Sequence, residues 1–118
     1  MDLRLPALRC IDELDQTLAD SHERPVLLFK HSYTCGVSAE ALDELRSHLK
    51  ESGSAEVQYA MVTVQTHREV CHTITKRLGV RHETPQAILV RDGRAIWSAS
   101  HFRVNAAEIQ KALATASS

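Results

Sequence analysis

Cys35 stands where an apolar run gives way to a helical pattern, and a thiol so placed can act as a nucleophile. Val26-Leu27-Leu28-Phe29 leads into Lys30-His31-Ser32-Tyr33-Thr34-Cys35-Gly36-Val37-Ser38, and beyond it Ala41, Leu42, Leu45 and Leu49 recur at spacings of three and four. A strand followed by a helix puts Cys35 at the helix N-terminus. Unpaired backbone N–H groups and the positive end of the helix dipole face a side chain there. Both favour the thiolate, which is the reactive form. Ser38 sets the type of chemistry. A second cysteine three positions on could finish a thiol–disulfide exchange internally, whereas a serine cannot. Its hydroxyl is left to donate to the thiolate or to cap the helix. Lys30 and His31 add positive potential just upstream, unless Lys30 is a solvated charge and His31 a structural ring.

Two other cysteines compete with Cys35. Cys10 occupies the position from which Ser or Thr would form a capping box with Glu13, so it reads as a partly buried cap residue. Cys71 falls in a second helical segment, His67 to Leu78, which points away from the Cys35 turn, so it reads as a helix thiol without a part in the exchange. His67 and Cys71 are four apart and share a helix face, as paired metal ligands do. His72, His82 or His101 would have to complete such a site. With no Cys-x-x-Cys and no second paired motif, no metal is expected.

The elements that must hold Cys35 follow from periodicity. Leu3 to Leu8 reads as a short edge strand, a place that tolerates Pro6. Ile11, Leu14 and Leu18 mark a first helix. Val26 to Lys30 is apolar without alternation, as in a strand covered on both faces. The helix after Cys35 runs to about Ser52, with Gly53 as its stop. Val57 to Val64 is rich in β-branched residues and reads as the next strand, followed by the His67–Leu78 helix and Gly79. Alternation of this kind predicts parallel strands with helices packed on the sheet. Then Ala87 to Val90 and Ala95 to Trp97 flank Asp92-Gly93, the strongest short hairpin signal. Asn105 opens a closing helix with Ile109 and Leu113 on its inner face, and residues 115 to 118 read as a frayed end.

The whole is an α/β chain of 118 residues, expected to form one domain over 1–118. A β-α-β core joined to a hairpin and a closing helix is the thioredoxin-like architecture. Pro85, directly before the hairpin, then occupies the place where such folds carry a cis proline facing the thiol, and the Thr84 backbone beside it would pair with an incoming chain. Net charge is −1 with both signs interspersed, so no basic stripe points to nucleic acid. The apolar runs are too short to span a membrane, and no signal-peptide pattern opens the sequence. The odd cysteine count argues against a disulfide framework. The expected location is the cytoplasm, with no nucleic-acid or membrane partner.

Lys30-His31-Ser32, Thr34-Cys35 with Ser38, His82-Glu83-Thr84-Pro85-Gln86-Ala87, and Trp97 with Ser100-His101 together resemble the monothiol bacilliredoxins. The resemblance implies an oxidoreductase that takes the low-molecular-weight thiol bacillithiol off client proteins, the thiol being co-substrate and no cofactor being needed. It implies Cys35 as nucleophile with Ser38 beside it, and Thr34, Gly36, Val37, His31, His82, Thr84, Pro85 and His101 around the substrate. Its partners would be S-thiolated client proteins and the small thiol. This chain reads Cys-Gly-Val-Ser where that family commonly reads Cys-Pro-Ile-Ser, which leaves glutathione or another small thiol as an alternative. Two other readings compete: a non-catalytic adaptor of the same fold, and a metal-handling module.

Overall fold

A computed structural model describes residues 4–53 and 55–116. Four strands, β1 (Val26–His31), β2 (Gln58–Thr63), β3 (Gln86–Arg91) and β4 (Arg94–Ser100), form one sheet in the order β2-β1-β3-β4. β1 runs parallel to β2 and antiparallel to β3, and β4 returns antiparallel on β3. Four helices cover it: α1 (Ile11–Asp20), α2 (Gly36–Ser52), α3 (Arg68–Leu78) and α4 (Ala106–Ala116).

The two faces of the sheet have separate cores. Leu27, Phe29, Tyr59, Ala87 and Leu89 pack with Ala41, Leu45 and Leu49 of α2 and Ile109 and Leu113 of α4. Val26, Leu28, Val62, Ile88 and Val90 pack with Leu14 of α1 and Val70, Cys71 and Ile74 of α3. Neighbouring residues of a strand point to opposite faces, so a strand covered twice must be apolar at every position. That is why β1 and β3 lack alternation and are buried almost throughout.

Several terminators act as the sequence implies. Asp92 and Gly93 both have positive φ, 55° and 74°, the backbone that a two-residue hairpin turn requires. Ser21 holds this turn from below: its carbonyl accepts from Asp92 N–H and its Oγ from Gly93 N–H, both at 2.8 Å. Gly79 caps α3 in the left-handed region with φ 66°. Asn105 Oδ1 accepts from Glu108 N–H at 2.9 Å and so caps α4.

Other expectations need correction. The stretch read as an edge strand makes a single parallel bridge, Ala7 to Met61, along the outer side of β2. Pro6 carbonyl accepts from Met61 N–H, and Leu8 N–H donates to Met61 carbonyl. Leu3, the start of that stretch, lies outside the described residues; of the segment read as a frayed end, Thr115 and Ala116 close α4 and the last two residues lie outside the described residues. Gly53 follows α2 with φ −60°, so the helix stops there without a left-handed residue. Cys10 holds the N-cap position of α1, but its side chain makes no capping hydrogen bond and is exposed. Glu13 Oε1 takes the N–H of Arg9 at 2.7 Å instead of that of Cys10.

Candidate active site

Consecutive residues at the end of β1 point to opposite faces, and this builds the site. His31, in step with Leu27 and Phe29, faces α2. Lys30, in step with Val26 and Leu28, faces α3. Past His31 the chain turns and starts α2, with Cys35 as its N-cap in extended backbone, φ −113° and ψ 123°. The thiol is free and half-buried. The first turn of α2 carries no acidic residue to offset its positive pole.

The turn before Cys35 is tied down from three sides. Ser38, fully buried, accepts the N–H of Ser32 at 2.9 Å and lies 2.9 Å from His31 Nδ1. Cys35 N–H reaches Ser32 carbonyl at 3.4 Å. Gln65, just beyond β2, donates to Ser32 Oγ at 2.6 Å and to Thr34 Oγ1 at 3.1 Å, and its Oε1 accepts from Tyr33 N–H at 3.4 Å. Nothing in the sequence singled out Gln65. Its role follows from the parallel pairing of β1 and β2, which sets the residue after one strand beside the turn after the other.

Ser38 therefore differs from expectation. One hydrogen is shared between its Oγ and His31 Nδ1, whichever tautomer holds. No hydrogen bond joins Ser38 to Cys35 among the described residues. The serine braces the turn that presents the thiol.

The second half of the site comes from the neighbouring strand. Lys30 pairs with Gln86, so the Thr84-Pro85 turn entering β3 lies at the same end of the sheet as the Cys35 turn leaving β1. The Thr84–Pro85 peptide is cis. His101, in a 3₁₀ turn spanning His101–Arg103, donates its N–H to Pro85 carbonyl at 3.0 Å. His101 also lines a groove of about 360 Å³ with Val37, Glu40, Asp43, Glu44 and Phe102. The structure thus brings His101 to Pro85 through the backbone and to Val37 through the groove. Thr34 and Gly36 are exposed at the rim, and Thr84 is half-buried.

His82 is exposed but is drawn to the far side of β1, where Nδ1 lies 3.3 Å from Lys30 Nζ. Lys30 is fully buried rather than solvated. The missed signal was its parity with Val26 and Leu28. Cys71 is also buried on this α3 face, and burial pushes its thiol pKa up. The sheet separates it from the core beneath α2. Among the described residues no group of three or more His, Cys, Asp or Glu gathers in metal-binding geometry. No described helix is long and apolar enough to cross a membrane.

Two expected outcomes follow from this geometry. Gly36 is the first residue of α2, a Cβ there meets nothing within 4 Å, and Cys35 already has the extended backbone that a following proline demands. Gly36→Pro should stabilise the fold by about 0.4–1 kcal/mol, read from urea unfolding. A loss of stability would show that the turn is not held as described.

The second concerns acid. Burial, then Arg46, pushes the His31 pKa down, and burial, then Arg4, does the same to His48, whose Nε2 lies 2.8 Å from Tyr59 Oη. A depressed folded-state pKa means that the unfolded chain binds more protons below its own value near ~6.5. Stability is then full above that pH and is lost as pH falls through the folded values. The limit is about 1.4 kcal/mol per pH unit for each histidine. The urea midpoint should drop between pH 7 and pH 5, and His48→Gln should flatten the drop.

A cysteine capping a helix at one end of a four-stranded mixed sheet, beside a proline turn, defines a thioredoxin-fold thiol redox protein. Known structures agree. A thioredoxin-fold protein described provisionally as an oxidoreductase superposes with a TM-score of 0.81 at 29% identity, over 92% of this chain and 93% of that one. Thioredoxin from Fasciola hepatica matches with a TM-score of 0.76 at 16% identity, over 94% of this chain and 98% of its own. Oxidised thioredoxin from Plasmodium falciparum matches at 0.72 and 12%, over 97% and 99%. These last two share the fold. The family model of the monothiol bacilliredoxin BrxC matches residues 6–109, and the chain belongs to that family.

Proposed function

We propose that this protein removes bacillithiol, or a similar low-molecular-weight thiol, from mixed disulfides on client proteins through Cys35. The observation that carries the reading is the pairing of an accessible N-cap thiol with a serine, not a cysteine, three positions on. The Cys35 thiolate attacks the small-thiol sulfur of a client mixed disulfide. One S–S bond forms to Cys35 as another breaks, and the client leaves as a thiolate. A second small-thiol thiolate then attacks the sulfur bound to Cys35, giving the small-thiol disulfide and free Cys35. Electrons balance with the small thiol as reductant, and no resident metal or flavin enters. A separate reductase would recycle the disulfide, in the reducing environment of the cytoplasm.

The surroundings have parts in this cycle. Thr34 and Gly36 form the exposed rim with half-buried Val37 beside them, and Thr84 with Pro85 supplies the backbone against which a client segment would lie. The groove between Val37 and His101 is the place for the rest of the small thiol or the client. Mixing the reduced protein with bacillithiol disulfide and, separately, with glutathione disulfide tests the reading by mass spectrometry. The expected product is one adduct, on Cys35, forming faster with bacillithiol. Faster reaction with glutathione would change the co-substrate, and adduct formation spread over all three cysteines would remove Cys35 from its special role.

A further inference from the structure

Lys30 is the least expected buried group in the molecule. Its side chain is fully buried at the end of a central strand, and no carboxylate forms an ion pair with it among the described residues. Burying an ammonium without a counter-charge is costly, and burial pushes its pKa down. An apolar side chain of the same length would fill the space without that cost. What the ammonium does gain is two acceptors, Thr75 Oγ1 of α3 at 3.4 Å and His82 Nδ1 at 3.3 Å.

The second contact has a direction. A lysine ammonium only donates. His82 Nδ1 must then carry the lone pair, so the ring proton sits on Nε2. His82 Nε2 lies 3.4 Å from Thr84 Oγ1, so the ring donates to the threonine oxygen. The Thr84 hydroxyl keeps its own proton for a further partner. A chain of donations thus runs outward from the core to the residue before Pro85. Gln86 pins the same turn at a second point. It pairs with Lys30 across the strands, is buried, and donates through Nε2 to Arg81 carbonyl at 2.9 Å.

We propose that Lys30 is a positioning residue for the exchange reaction, acting through the His82 tautomer to hold the Thr84-Pro85 turn at the end of the sheet where Cys35 starts α2. The role rests on the exchange reading above. A turn held in one place keeps the backbone on which the substrate lies in line with the attacking thiol, and misplacing it slows the reaction.

The experiment uses the full chain and a mixed disulfide of a model protein with bacillithiol or glutathione. Lys30→Met should keep or raise thermal stability, because an unpaired buried charge is replaced by an apolar chain. It should nevertheless lower kcat/KM about tenfold, the worth of one directed hydrogen bond. His82→Ala should do the same, while His82→Gln, which can still accept on one side and donate on the other, should restore most of the rate. The double variant of Lys30→Met with His82→Ala should be no slower than either single one. Nitrogen NMR of the wild-type ring at pH 7 should show the proton on Nε2, and Lys30→Met should mix the tautomers. Rates within twofold of wild type, losses that multiply, or a proton on Nδ1 would each overturn the proposal. If the wild-type chain exchanges no mixed disulfide at all, the functional reading fails. The NMR and stability results then judge the Lys30–His82–Thr84 chain separately. Should Lys30→Met not fold, the His82 pair of variants and the wild-type spectrum decide.

Discussion

Cys35→Ser is expected to reduce exchange with a mixed disulfide to the background rate, a loss of roughly three orders of magnitude or more. A hydroxyl stays protonated where a thiol ionises, so the variant keeps the shape of the site and loses the nucleophile. Cys71→Ala is the necessary companion. Cys71 is 3% exposed, packed among Val70, Ile74 and Val62, and it sits on α3 against one face of the sheet while Cys35 starts α2 on the other. Meeting Cys35 would require the sheet or α3 to open. The variant should therefore exchange at close to the wild-type rate, with a stability cost of about 1 kcal/mol from the small cavity. The assay is release of the small thiol from a labelled client, with both variants at equal folded concentration. Equal inactivity of the two would overturn the one-thiol cycle, as would a Cys35–Cys71 disulfide found by peptide mapping.

Ser38→Ala is expected to have the largest effect on the fold of the site. The hydroxyl is fully buried and serves Ser32 N–H and His31 Nδ1 at once. Its removal leaves two polar groups at the end of β1 and in the turn after it without that partner, at about 1–3 kcal/mol each when water cannot reach them. His31 is only half-buried, so water would recover part of its share. A total near ~2–3 kcal/mol is expected from urea unfolding. The turn through Tyr33 and Thr34 should also lose order, which faster amide exchange at Ser32 would report. Alkylation of Cys35 should stay possible, since the thiol itself is untouched. If stability and amide exchange match the wild type, the hydroxyl does not brace the turn, and a direct role toward sulfur returns as the explanation for Ser38.

Much of this architecture was legible from spacing. The uninterrupted apolar runs at Val26 and Ala87 report strands covered twice. Asp92-Gly93 reports a turn that only two positive φ angles can close. The change from strand to helical period at Cys35 reports the junction that makes the thiol useful. These signals are local, each carried by a few adjacent residues. The misread features depend on which chains lie side by side. Lys30 reads as a solvated charge until β3 and α3 are known to enclose it. Ser38 reads as a thiolate partner until His31 is seen on the same face of the sheet. Gln65 has no visible purpose in sequence, because the residues that it ties are more than thirty positions away and meet it only through strand register. Cys10 reads as a half-hidden cap and is exposed, and the Glu13 carboxylate takes the N–H of Arg9 rather than that of Cys10.

The sheet has two unlike borders. Along β2 the segment around Ala7 spends its own backbone groups on Met61 and lies across the middle of that margin, in the way of a further strand. Along β4 nothing similar lies alongside among the described residues, and Arg94, Ile96 and Ser98 are turned to solvent. Adhesion between copies of this chain, where crowding or partial unfolding promotes it, would therefore begin at the hairpin side. Fibril growth by strand addition would meet an obstacle on one side of the sheet and none of that kind on the other.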